Sequence, residues 1–212
     1  MKITKYPQSN FLIEENGVKI LIDPGNFTFE KYQPDSFGQI DAILITHQHA
    51  DHLDKQAVKA LSVSGVPIYG NSDVASVLSS ESVKVNVVEP HKEFRLANFT
   101  IKPIDLPHCN MLDGSPGPPN TGFVVNSIFF HPGDGIEIAG LAVENAAIPI
   151  TGPTINYDRA WKLAQSLKAK RIIPMHYSNP RFPADPAKFA RAKPSGSNAE
   201  VVVLNDGEST AL

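Results

Sequence analysis

Apolar residues in the first half of the chain fall in short runs cut by polar or glycine punctuation, a rhythm of strands. Residues 11–13 and 18–22 are two such runs, and they flank Asn16-Gly17. Both turn positions can take φ > 0, so the segment predicts a β-hairpin with a two-residue turn. Ala42-Ile43-Leu44-Ile45 is apolar without alternation, as expected of a strand covered on both faces. Residues 53–62 then carry Leu53, Ala57, Ala60 and Leu61 at helical spacing, and 66–69 reads as a strand. Ser72 is placed to cap a helix over 73–79. Strands are predicted over 84–88, 94–96 and 99–104, and a strand pair over 122–125 and 127–130 around a tight turn.

After Asn156, the positions Tyr157, Ala160, Trp161, Ala164 and Leu167 form an apolar helical stripe, read as core packing. A strand is predicted next, at 171–174. Asp185-Pro186 is a good N-cap and N1 pair for a last helix through Arg191, and 201–204 reads as a closing strand. The run Asp113-Gly-Ser-Pro-Gly-Pro-Pro119 is the clearest loop, since its prolines lack donors and its glycines resist regular structure. No linker divides the chain. Strands then helices recur in each half, which predicts one layered α/β sandwich domain over residues 1–212.

Composition narrows this picture. With 212 residues, 42% of them hydrophobic, a sizeable core can form. The formal net charge of −3 supplies no basic field, so a nucleic-acid partner is not expected. Cys109 is the only cysteine, which excludes an internal disulfide and any site needing two thiolates from this chain. The first residues lack a secretory apolar segment, and no stretch approaches the roughly 20 apolar residues of a membrane span. The expectation is a cytoplasmic protein that acts on a small molecule. Nothing in the sequence specifies an oligomeric state.

The chemistry concentrates in His47-Gln-His49-Ala-Asp51-His52, which follows an apolar strand and precedes a helix. Imidazole nitrogens and a carboxylate are ligands for zinc and related divalent ions. In an extended segment, residues 47 and 49 point the same way, so His47 and His49 can share one ion. Asp51 and His52, at the helix entry, can face a second ion beside it. Further candidates also sit at strand ends: His108 after Ile104-Asp-Leu-Pro, Asp134 in His131-Pro-Gly-Asp, and His176 after Ile172-Ile-Pro-Met. Loops converging on one sheet edge are where a site is built.

These motifs together resemble the metallo-β-lactamase superfamily, whose H-x-H-x-D-H signature the run at 47–52 matches. Asp23 in Leu21-Ile-Asp-Pro-Gly, Pro107-His108, Gly133-Asp134 and Pro174-Met-His176-Tyr177 match the superfamily's later landmarks in the same order. The nearest flavour is the small metal-dependent hydrolases related to the ascorbate 6-phosphate lactonases. Many of those carry a Gly-His-Ser/Ala run where this chain reads Pro7-Gln8-Ser9-Asn10.

The resemblance implies a four-layer αββα sandwich holding two ions, zinc or alternatively manganese. His47, His49 and His108 would bind the first ion; Asp51, His52 and His176 the second; Asp134 would bridge them. Asp51 would also be catalytic, orienting a metal-bridged hydroxide toward a small ester, lactone, amide or phosphodiester. Asp23 is expected either to support the ligands or to cap a turn. His131 is expected either to support Asp134 or to lie at the surface. His91 reads as an exposed loop residue, Cys109 as a buried inert thiol, and the loop at 113–119 as a border of the substrate pocket. A mononuclear iron oxidoreductase on the same fold is the alternative activity.

Overall fold

The computed structural model describes residues 1–212. Strand β1 (Lys2–Lys5) leads to β2 (Phe11–Glu15) and β3 (Val18–Ile22). The β2–β3 hairpin closes at Asn16 and Gly17, with φ of +50° and +81°, and pairs Glu15 with Val18 as the turn chemistry predicts. A short helix α1 (Asn26–Phe29) and a 3₁₀ turn (Pro34–Phe37) precede β4 (Ala42–Leu44). Helix α2 (Lys55–Ser62), β5 (Ile68–Gly70), α3 (Ser72–Ser79) and β6 (Val85–Val87) complete the first half.

The second half opens with β7 (Phe94–Leu96), β8 (Phe99–Asp105), β9 (Thr121–Val125), β10 (Phe129–His131) and β11 (Asn145–Pro149). Helix α4 (Tyr157–Ser166), β12 (Arg171–Met175), α5 (Pro186–Arg191), β13 (Glu200–Val201) and β14 (Ser209–Ala211) complete it. Two seven-stranded sheets result, ordered β14-β1-β2-β3-β4-β5-β6 and β13-β12-β11-β10-β9-β8-β7. Each combines an antiparallel part with a parallel part.

Three apolar clusters make the layers. Between the sheets lie Ile20, Ile22, Ala42 and Leu44 from the first sheet and Phe123, Val125, Phe129, Ala147 and Ile173 from the second. The alternate residues Leu21 and Ile43 face the opposite way, onto Val58 of α2 and Val74 and Leu78 of α3. This is why β3 and β4 read as apolar without alternation: both faces are covered. On the far side, Ala160, Trp161, Ala164 and Leu167 pack on Ile148 and Ile172. The four-layer αββα sandwich expected from the motifs is therefore observed. No helix is long and apolar enough to cross a membrane.

Several local expectations shift. Helix α2 starts at Lys55, where Asp54 caps it by accepting from Gln56 N–H and Ala57 N–H, both at 3.0 Å. Leu53 matched the helical spacing because it is buried, yet it lies in the preceding loop. Asn71, not Ser72, caps α3, accepting from Val74 N–H at 3.0 Å. The closing strand is short: after β13, Val202 N–H reaches Ile172 C=O at 2.8 Å and regular pairing stops.

Strand direction determines where the loops emerge. β1, β3 and β4 run together in one sheet, and β8, β10, β11 and β12 run together in the other. Their carboxyl ends share one edge of the sandwich. Phe129 is fully buried between the sheets, its ring 5.9 Å from that of Phe11. Phe129→Ala is expected to cost about 3–5 kcal/mol. Urea unfolding would read this as a lower midpoint at unchanged slope, and a cost under about 1 kcal/mol would contradict the packing described.

Candidate metal centre

Each candidate ligand follows one of these strand ends. β4 leads into Thr46 and the run 47–52, β8 into His108, β10 into Asp134 and β12 into His176. The seven residues expected from the sequence come together. One nitrogen each from His47, His49 and His108 lie within 4.8 Å of one another, as do ligand atoms of Asp51, His52 and His176. Asp134 sits between the two groups. Its Oδ1 is 3.2 Å from His52 Nε2, and its Oδ2 is 3.4 Å from His108 Nε2 and 3.2 Å from His176 Nε2.

Hydrogen bonds on the outer side of the rings decide which nitrogen faces inward. Thr46 Oγ1 gives its single proton to Asp23 Oδ2 at 2.7 Å, so at 3.0 Å it accepts from His47 Nδ1–H. His52 Nδ1–H donates to the same Asp23 oxygen at 2.7 Å. His108 Nδ1–H donates to Cys109 C=O at 2.6 Å, and His176 Nδ1–H to Thr151 C=O at 2.7 Å. In all four rings Nε2 is turned into the site. His47 Nε2 lies 3.2 Å from His49 Nδ1.

The inner atoms have no adequate partner. His52 Nε2, His108 Nε2, His176 Nε2 and Asp134 Oδ1 are all buried without a hydrogen bond, although Asp134 is nearby. Leaving one such atom unsatisfied costs about 1–3 kcal/mol, so four at one point is a strong fit to a bound cation. An imidazole-rich donor set with two carboxylates suits zinc and its neighbours better than magnesium or calcium.

Three non-glycine residues here adopt left-handed backbone: Gln8 (φ +61°), Asp23 (φ +49°) and His176 (φ +67°). Such conformations cost on the order of 1–3 kcal/mol and persist where surrounding contacts over-determine them. Asp23 is held by Thr46 N–H at 2.8 Å as well as by Thr46 Oγ1–H and His52 Nδ1–H, so its side chain braces Thr46 and His52 and is no turn cap. His131 is fully buried, which corrects the surface alternative. Its Nε2–H donates to Ser9 C=O at 2.8 Å and its Nδ1 accepts from Gly133 N–H at 3.2 Å, leaving no lone pair for an ion. His91 is exposed and Cys109 buried, as expected.

Two further residues escaped the sequence reading. Asn120 donates to Leu106 C=O and Pro132 C=O, both at 2.9 Å, and accepts from Asp134 N–H at 3.3 Å, fastening the loops of His108 and Asp134 together. Gln8 Nε2–H donates to Asp51 Oδ2 at 2.9 Å. Asn120 lies outside any motif, and Gln8 stands where many of the resembling hydrolases carry a Gly-His-Ser/Ala run, a departure that does not by itself point to Asp51. The 113–119 loop packs on the outer side of His108: a Cβ at Gly117 would overlap the imidazole at Nδ1.

Electrostatics divides the rings. Burial, followed by repulsion from His52, holds His47 well below 6.5, and burial with His108 lowers His49. Burial also acts downward on His52, but Asp134, Asp23 and Asp51 outweigh it and push the ring up to about 10. His108 rises to about 10 and His176 well above 6.5, both through Asp134 against the opposing effect of burial. Burial acts upward on Asp51 and Asp134, yet the neighbouring histidines hold both below the usual carboxylate range. Without a cation, protons on these rings balance the carboxylates.

Comparison with known proteins bears on the family and the fold. Residues 2–176 match the family described as Beta-lactamase superfamily domain, a span that ends on His176. A UPF0173 metal-dependent hydrolase of Carboxydothermus hydrogenoformans is 32% identical, with 100% of each chain covered. A second of that name from Pyrococcus horikoshii is 31% identical, covering 93% of this chain and 94% of its own. Among solved structures, Igni18, a metallo hydrolase from Ignicoccus hospitalis, superposes with a TM-score of 0.81 at 24% identity, covering 99% of this chain and 97% of that one.

The raised histidines make a signed pH prediction for metal-free protein. Their folded-state pKa values exceed the unfolded value near 6.5, so their stabilisation is complete below about pH 6.5 and lost as pH rises through about 10. A divalent ion must displace the same protons, so its binding strengthens over that interval. Thermal melts of chelated protein are expected to fall from pH 6.5 to 10, while the increment on adding zinc grows. An increment independent of pH would contradict the assignment.

Proposed function

The chain belongs to the metallo-β-lactamase superfamily and is a metal-dependent hydrolase; we propose that it works through two divalent ions, most simply zinc. The observation that carries the two-ion reading is the meeting of unpartnered inner atoms from two ligand groups around Asp134. His47, His49 and His108 would hold one ion, Asp51, His52 and His176 the other, and Asp134 would face both. When bound, the ions supply Lewis acidity: they lower the pKa of water from about 15.7 toward about 7 and polarise the oxygen of the bond to be cleaved.

The protein's own groups do the rest. Asp23, Cys109 C=O and Thr151 C=O fix the ring tautomers by holding the outer N–H groups, which also raises the basicity of the inner nitrogens. Asp51, only partly buried, is the ligand carboxylate best placed to orient the attacking group as well. The substrate is a small ester, lactone, amide or phosphodiester. The lactonase-like branch is supported by motif resemblance alone, because specificity resides in loop shape. The loop at 113–119, tight against His108, borders the substrate pocket, and one domain over residues 1–212 carries the activity. Pairing of the last strand, β14, with the first, β1, supports that extent.

Two tests bear on this together. Elemental analysis of purified protein should find two zinc or manganese ions per chain; a single redox-active iron would favour the oxidoreductase and overturn the proposal. His47→Ala and Asp51→Ala should each lower metal content, and hydrolysis across lactone, thioester and phosphodiester substrates by at least about 10–100-fold. Wild-type metal content in both variants would overturn the ligand assignment.

A further inference from the structure

Gln8 lies in the turn after β1 and is 1% exposed, so every polar atom it carries must find a partner inside the protein. All four do. Its backbone N–H donates to Ser178 Oγ at 2.8 Å, and its C=O accepts from His176 N–H at 2.9 Å. Its side-chain Oε1 accepts from Ser178 N–H at 2.9 Å, and its Nε2–H donates to Asp51 Oδ2 at 2.9 Å. The orientation of the carboxamide is not arbitrary. A flip would set its NH₂ against Ser178 N–H and its oxygen against the Asp51 carboxylate, two repulsive contacts in place of two bonds.

These bonds cross the sandwich. Asp51 belongs to the loop after β4 in the first sheet, whereas His176 and Ser178 follow β12 in the second. The same Asp51 Oδ2 stands 3.2 Å from His176 Nε2. One carboxamide therefore joins the two halves of the ligand group Asp51, His52 and His176. An amide NH₂ can only donate, so it meets an unprotonated oxygen and favours the ionised, ligating form of Asp51. It is neutral at every pH, so it orients the carboxylate without drawing charge away from a cation.

We propose that Gln8 is a positioning residue for the second ion, setting Asp51 relative to His176 across the two sheets. The inference rests on the two-ion reading of the centre. Gln8→Met keeps length and burial, leaves both backbone bonds intact and deletes only the carboxamide. Gln8→His restores an N–H donor toward Asp51.

The test is a zinc titration of chelated protein against a competing chromogenic chelator, with near-ultraviolet circular dichroism to check the fold. Wild type should bind two equivalents. In Gln8→Met the first equivalent should bind within about threefold of wild type and the second about 10–100-fold more weakly, with Gln8→His in between. Two wild-type equivalents in folded Gln8→Met would overturn the inference, as would an equal loss of both. A wild-type protein that holds one ion would fail the two-ion reading itself, a result visible before any variant is compared.

Discussion

One buried carboxylate does more than any other group to determine what this site can be. Asp23 receives Thr46 N–H, Thr46 Oγ1–H and His52 Nδ1–H at 2.7–2.8 Å. Through Thr46 it also decides that His47 carries its proton on Nδ1. Two of the candidate ligand rings are thus oriented, with Nε2 inward, by a residue that does not itself face the inner space. The remaining two inward Nε2 atoms are secured the same way by backbone carbonyls. The result is a polar interior that the chain cannot satisfy with its own atoms. A centre of that kind is stable with a cation bound, or with protons standing in for one.

The sandwich supplies rigidity for this arrangement. The candidate ligands come from four strand ends on two sheets, and the apolar cluster between the sheets fixes their spacing. Few hydrogen bonds then need to cross from one sheet to the other. Several of those that do lie at the site edge: Thr121 N–H to Thr46 C=O at 2.9 Å, Asn71 Nδ2–H to Pro119 C=O at 3.1 Å, and His176 N–H to Gln8 C=O at 2.9 Å. Three of the ten non-glycine residues at positive φ, Gln8, Asp23 and His176, also lie here, where packing and hydrogen bonds offset the strain.

Much of this was legible in the sequence, and the residues show why. The run at 47–52 announces itself because metal ligation needs scarce residue types close together. His108, Asp134 and His176 were reachable because each follows an apolar run that ends at a turn. Helices α4 and α5 were readable from an apolar stripe and an Asp-Pro cap. β11 was not, since Asn145-Ala-Ala-Ile-Pro has little β-branched content and draws its strand character from neighbours on both sides. Thr151 acts through its carbonyl, which every residue possesses. His131 looked equally suited to surface or interior, and only the packing of Phe11 against its ring, 5.5 Å away, and its two backbone bonds make it structural.

Anomalous diffraction from crystals grown with zinc, recorded on both sides of the zinc edge, is the most direct measurement of the centre. Two peaks are expected in each molecule, one among His47, His49 and His108 and one among Asp51, His52 and His176, with Asp134 facing both. A single peak, or peaks away from these residues, would contradict a two-ion centre.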